Sequence, residues 1–204
     1  MKAINRKTLW ITVLVCLLPI LVGVAVWESL PEMMAIHFNV YNEADNFMPK
    51  GFVVFGLPCL MAAFQIFSCV VSDCSSKKQA EKMALVSKWI LPVFTVTLYF
   101  ATLGYGLGWK IDIRMVAAVL VGGMFLVTGN YLPKLSYVKN YRLDTEKARK
   151  INRFMGFLTV VLGILFLGSI FLPPIATVVC VFLLIPYAIV GIIYGIVVTK
   201  SKKN

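Results

Sequence analysis

The residues best equipped for chemistry lie in one polar stretch. Residues 28–50 hold Leu30-Pro31-Glu32-Met33-Met34-Ala35-Ile36-His37-Phe38-Asn39, then Asn42-Glu43-Ala44-Asp45-Asn46-Phe47-Met48-Pro49-Lys50. Glu28, Glu32, Glu43 and Asp45 stand against Lys50 alone, a net charge of −3. One function this pattern could serve is an acidic surface for a cationic ligand, with His37 as a pH-dependent element. The other is an ordered cap whose polar side chains satisfy its own backbone. In the second reading Asn39 and Asp45 bond the main chain, and His37 packs beside Phe38. Asn42 suits the left-handed bend that such a cap needs before Asp45.

A second rich segment lies at residues 129–154. Gly129-Asn130 is followed by a basic stretch containing Lys134, Lys139, Arg142, Lys147, Arg149, Lys150 and Arg153, with Asn152 just before the last. Asp144 or Thr145 can cap a helix here. Glu146 and Lys150 have the favourable i,i+4 order, so the segment is expected to turn helical before Phe154. Arg142, Arg149 and Arg153 could hold an acidic partner or phosphate headgroups; the plainer reading is a solvated helix edge. Gly129 and Asn130 suit close helix contact.

Catalysis finds no support in these residues. The carboxylates show no paired arrangement of the kind that glycoside hydrolysis requires. A Ser-His-Asp set would have only His37 as its base. Of five cysteines, Cys16, Cys59, Cys69 and Cys180 sit in apolar runs and no CxxC pair occurs. They read as small packing residues. One histidine and no Cys/His cluster leave zinc without a ligand set. No cofactor is expected, and the protein is expected not to be an enzyme.

The elements that must position these residues follow from composition. In 204 residues, 60% are hydrophobic and 14% charged, against about 45–50% and about 25% in soluble domains. So much apolar surface cannot be hidden from water in a chain this small. A membrane-spanning helix needs about 20 apolar residues. Six stretches qualify, at about 9–27, 51–72, 85–107, 115–132, 154–172 and 175–198. They are apolar on all sides and lack the alternation of a transmembrane barrel strand. Lys88 and Trp89 mark the shoulder of the third. No acid or base appears at mid-depth, where proton-coupled transporters usually place one. The expected fold is an all-α bundle of six transmembrane helices forming a single domain, 1–204. An uncleaved first span is favoured over a signal peptide, because the apolar run is long and no A-x-A site follows.

Orientation follows from the basic residues. Counted over alternate connections, Lys and Arg divide 17 against 3. The positive-inside rule then places both termini in the cytoplasm, residues 28–50 outside and residues 133–153 inside. The net charge of +11 is thereby topological. Its natural partner is the bilayer's anionic headgroups, and nucleic-acid binding is not expected. The small-residue spacings Gly104-x-x-x-Gly108 and Gly191-x-x-x-Gly195 suit helix packing within the chain or between copies.

Both rich segments resemble the SdpI-like bacterial membrane proteins. That family carries a first-loop pattern L-P-x-x-[IM]-P-x-H-[FW]-N-x-x-G-x-x-D-x-[FYW]-x-x-K. Leu30, Pro31, Met34, His37, Phe38, Asn39, Asp45, Phe47 and Lys50 match it in register. Ala35 stands at its second proline and Asn42 at its glycine. The family's second block is matched by Gly129-Asn130 and by Asn152-Arg153-Phe154-x-Gly156. Of its intervening G-[IL]-R-T-P-W-T-L stretch, Tyr141-Arg142-Leu143 is what remains. The resemblance implies a multi-pass protein of the bacterial cytoplasmic membrane. It also implies immunity to a secreted peptide toxin and capture of a transcriptional repressor. Its site residues here are Pro31, His37, Phe38, Asn39, Asp45 and Lys50 outside, with Gly129, Asn130, Arg142, Asn152 and Arg153 inside. The alternative is a small transporter or peptide-export component, for which the span prolines Pro19, Pro58, Pro92 and Pro186 speak. A structural protein in contact with lipid is a third class.

Overall fold

The computed structural model describes residues 5–75, 81–135 and 145–200. Among these residues, six helical segments are long and apolar enough to cross a bilayer: Arg6–Ala25, Phe52–Cys74, Met83–Gly106, Ile113–Lys134, Glu146–Phe171 and Ile175–Lys200. Each overlaps one expected span, with ends shifted by a few residues. The fifth starts earliest, because its basic, water-compatible first turns continue the same helix.

The chain divides into two compact units, residues 1–77 with 84–117, and residues 78–83 with 118–204. In the first, helix α1 (Arg6–Leu17) is followed after Leu18 by α2 (Pro19–Ala25). Pro19 lacks the N–H that a continuous helix would need at that turn, so the first span is built in two pieces. A short turn, Trp27–Ser29, leads to a hairpin of strands β1 (Met33–Phe38) and β2 (Ala44–Pro49). The chain re-enters the apolar region through a π-helical turn, Phe52–Gly56, into α3 (Leu57–Ser75). Helix α4 (Glu81–Gly106), from residue 84 onward, and the start of α5 (Ile113–Tyr131) complete this unit. Pro31 lies just before the strands and stops the preceding turn.

Two apolar clusters hold the first unit. Leu30, Met34, Val53, Val54, Tyr99 and Leu103 form one beneath the hairpin. Leu9, Val13, Cys16, Ala62 and Cys69 form the other, between α1 and α3. The Tyr99 hydroxyl donates to the Val54 carbonyl at 3.3 Å, inside the π-helical turn. It passes directly over Gly23, where an added Cβ would stand 2.1 Å from the hydroxyl oxygen.

In the second unit, α5 continues into a short turn, Leu132–Lys134. Helices α6 (Thr145–Gly168), α7 (Ile175–Phe182) and α8 (Leu184–Lys200) follow. Helices α5 and α6 touch backbone to backbone. A Cβ on Gly129 would lie 2.8 Å from the Gly156 carbonyl, and one on Gly122 would lie 3.0 Å from the Gly163 carbonyl. Phe154 and Tyr194 stack with centroids 4.2 Å apart, and Thr159 bonds the Tyr187 hydroxyl at 2.9 Å. Both contacts join α6 to α8.

Candidate functional site: a hairpin seated on the helices of the first unit

The hairpin is built from its own side chains. Asn39 organises the turn: its Oδ1 accepts from the Tyr41 N–H at 2.9 Å and the Glu43 N–H at 3.0 Å. Its Nδ2 donates to Glu43 Oε2 at 2.8 Å. Main-chain bonds from Asn39 N–H to the Glu43 carbonyl and from Asn42 N–H to the Asn39 carbonyl close the loop. Asn42 has φ +64°, the left-handed conformation that asparagine tolerates better than most residues.

Asn42 also does something that a turn residue alone does not. Its Nδ2 donates to the Ile111 carbonyl at 3.0 Å, and its Oδ1 accepts from the Ile113 N–H at 2.8 Å. The hairpin tip is thus tied to the connection between α4 and α5. Asp112 caps the same end of α5 by accepting from the Met115 N–H at 3.0 Å. The glycine of the family pattern could supply the turn at this position but not the tie. Nothing in the sequence marks a contact 69 residues away.

His37 and Phe38 face opposite ways. Phe38 packs edge-on against Tyr105 with centroids 4.7 Å apart, which seats the strand end on α4. His37 does not lie beside Phe38; it is exposed, and its Nδ1 meets Asp45 Oδ1 at 2.5 Å. Asp45 therefore engages the imidazole, where a backbone bond was expected. The cause is an irregular register. Met33, Met34 and Ala35 pair with Pro49, Met48 and Phe47, but His37 pairs with Asn46 and Phe38 with Ala44. The shift brings the two side chains to one face.

Lys50 anchors the returning strand. Its Nζ lies 2.8 Å from Glu32 Oε1 and 4.8 Å from the Trp27 ring centroid, while its N–H donates to the Glu32 carbonyl. Met34 and Ala35 are buried in the seat. Met33, Val40, Tyr41, Phe47 and Met48 are exposed, as are Glu28, Glu32, Glu43 and Asp45. The free surface thus mixes carboxylates with large apolar groups. An open cleft of about 600 Å³ lies at the tip, lined by Asn42, Tyr105, Trp109, Lys110, Ile111 and Asp112. Of the six expected residues here, His37, Asn39, Asp45 and Lys50 form polar bonds within the hairpin and its base. Phe38 and Pro31 set its seat and its start.

The described members of the second group of expected residues form no shared polar site. Gly129 is the helix-contact position described above. Asn152 is buried and donates through Nδ2 to the Leu135 carbonyl. Asn130 and Arg153 are exposed, and Arg142 lies outside the described residues. The Glu146–Lys150 pair forms at 3.1 Å, with both side chains largely exposed. These residues read as packing and surface positions.

Sequence reasoning missed a third constellation, inside the spans of the first unit. Lys88, the residue at the shoulder of the third span, is buried and paired to Asp73 Oδ1 at 2.5 Å. Asp73 Oδ2 accepts from the Asn5 N–H at 3.0 Å, ahead of α1. Gln65 Nε2 reaches Thr12 Oγ1 at 2.9 Å, Cys69 Sγ at 3.2 Å and the Lys88 carbonyl at 2.8 Å. Gln65 Oε1 is buried with no partner among the described residues. The available signal was an acid ending one apolar run and a base opening the next, which a helical hairpin brings face to face. Among the described residues no group of three or more His, Cys, Asp or Glu side chains could hold a metal ion.

Among the described residues, six helices of membrane-spanning length and a hairpin seated within the first unit define a multi-pass membrane protein. A family model described as "Domain of unknown function (DUF1648)" matches residues 14–62. That stretch runs from the middle of α1 through the entire hairpin into α3, so the match falls on the site itself. No curated protein and no solved structure matched the chain.

Proposed function

We propose that the protein is a non-enzymatic immunity or peptide-sensing protein of the bacterial cytoplasmic membrane, as its resemblance to the SdpI-like proteins implies. In this reading both termini are cytoplasmic and the hairpin faces outward, where a secreted cationic, amphipathic peptide arrives. One observation carries the proposal: an ordered hairpin, fixed to the helices by Met34, Phe38 and Asn42, leaves carboxylates and large apolar side chains together on its free surface. An amphipathic cation needs both kinds of group. The carboxylates attract it only over about 8 Å at physiological salt, so the apolar contacts must hold it. The exposed arginines of the inner face, Arg153 among them, are where an acidic repressor would be held.

The test is survival of a sensitive bacterium expressing the chain and challenged with secreted cationic peptides. Protection by the parent chain, and its loss in Asp45→Ala at equal membrane abundance, is the expected result. A second reading, a small transporter, is favoured by the Asp73–Lys88 pair and Gln65, since ionisable groups within spans commonly mark transport pathways. Peptide-driven flux in proteoliposomes, insensitive to hairpin substitutions, would favour it.

A further inference from the structure

The hairpin has only two strands, so β2 has an edge that β1 does not cover. The register says which of its groups point there. Lys50 N–H donates to the Glu32 carbonyl, which makes Glu32 and Lys50 a hydrogen-bonded pair in line with the Met33–Pro49, Met34–Met48 and Ala35–Phe47 partners. Hydrogen-bonded and non-bonded pairs alternate along an antiparallel ladder. Met34–Met48 is therefore bonded, whereas Ala35–Phe47 and Met33–Pro49 are not. The N–H and C=O of Phe47, and the C=O of Pro49, turn away from β1. Every residue of β2 after Ala44 is exposed, and no other described residue bonds the Phe47 main chain. Pro49 has no N–H, which closes the edge at that end.

We infer that this edge is where a peptide binds, as a third, extended strand paired through the Phe47 N–H and C=O. The inference rests on the peptide-binding reading and gives it a mode. Charge selects the occupant. Glu43 and Asp45 are exposed at the turn end of β2 and make that end of the hairpin acidic, so a second copy of the hairpin would bring like charges together, while a lysine-rich strand would bring opposite ones. Lipid headgroups offer no run of N–H and C=O groups to complete the ladder. Phe47 and Met48, both exposed, supply apolar contact on the two faces of the new strand.

The experiment uses the full chain in nanodiscs and a short synthetic peptide of alternating lysine and valine. Hydrogen exchange of the Phe47 amide is followed before and after peptide is added. Phenyllactic acid incorporated at position 47 then converts that amide to an ester. The ester removes a donor that the hairpin itself does not use and leaves the side chain unchanged. Expected are fast exchange without peptide, at least tenfold slowing with it, and peptide affinity several-fold weaker in the ester protein. Peptide binding with no change at the Phe47 amide and no effect of the ester overturns the strand mode while leaving peptide binding intact. Slow exchange before peptide is added means that lipid or a second copy covers the edge, and also overturns it. No binding of the parent chain overturns the strand mode and the peptide reading together.

Discussion

The first unit holds two polar constellations built on opposite terms. At the hairpin, Asn39, Asn42, His37 and Asp45 make short-range bonds on an exposed element, and only Asn42 reaches a distant helix. Among α1, α3 and α4, Gln65, Thr12, Asp73 and Lys88 bond across three helices with almost no exposure. The buried set has lost its water and must be satisfied internally, so removing one member leaves another stranded. The exposed set retains water as a substitute partner. Substitutions in the buried set should therefore cost stability, and those of the exposed His37–Asp45 pair should cost function.

The largest effect should come from Lys88→Ala. It takes the Lys88 cation away from the buried Asp73 carboxylate, and breaking a buried pair in this way costs about 3–5 kcal/mol. Unfolding in mixed micelles should show it. The double variant Lys88→Met with Asp73→Leu should regain most of the loss, since a buried pair replaced by apolar groups is often near neutral. Failure of the double variant to recover would mean that the pair has no stabilising partnership to lose.

Gly23→Ala comes next. The new methyl would collide with the Tyr99 hydroxyl, forcing it off the Val54 carbonyl and disturbing the seat of the hairpin. Overpacking of this kind costs about 1–3 kcal/mol, and restoring space with Tyr99→Phe should recover part of it.

Asn42 separates turn from tie. Asn42→Gly keeps the left-handed bend but loses both bonds to the α4–α5 connection, about 1–3 kcal/mol if those groups stay dry. Asn42→Ala adds the strain of a positive φ, about 1 kcal/mol more. Equal stability of the two variants would show that the bend is not the constraint it is taken to be.

How much of this was legible in the chain follows the same division. The spans were readable because twenty-residue apolar runs have few alternatives. The Asn42 bend and the Glu146–Lys150 pair were readable because they depend on near neighbours. The His37–Asp45 contact was not, because it depends on a register irregularity that no single residue announces. The buried set was missed because Asp73 and Lys88 each sit at the edge of an apolar run, where a charge looks like a boundary marker. Only the pairing of α3 with α4 turns two boundary markers into one buried bond. At the π-helical turn Phe52–Gly56 the local signal was Pro58, which has no N–H to give the Val54 carbonyl four residues earlier; that the Tyr99 hydroxyl donates to it instead was not legible.

The smallest stability effect belongs to the residues on which the functional reading depends. His37→Ala and Asp45→Ala alter an exposed pair and should shift stability by no more than about 0.5 kcal/mol. Their protection phenotype is the most direct measurement of the central claim, that the hairpin is the working site. Survival under peptide challenge should be scored for His37→Ala and Asp45→Ala, with membrane abundance matched to the parent chain. Both variants should insert normally and lose protection. Full protection by both at normal abundance would contradict it.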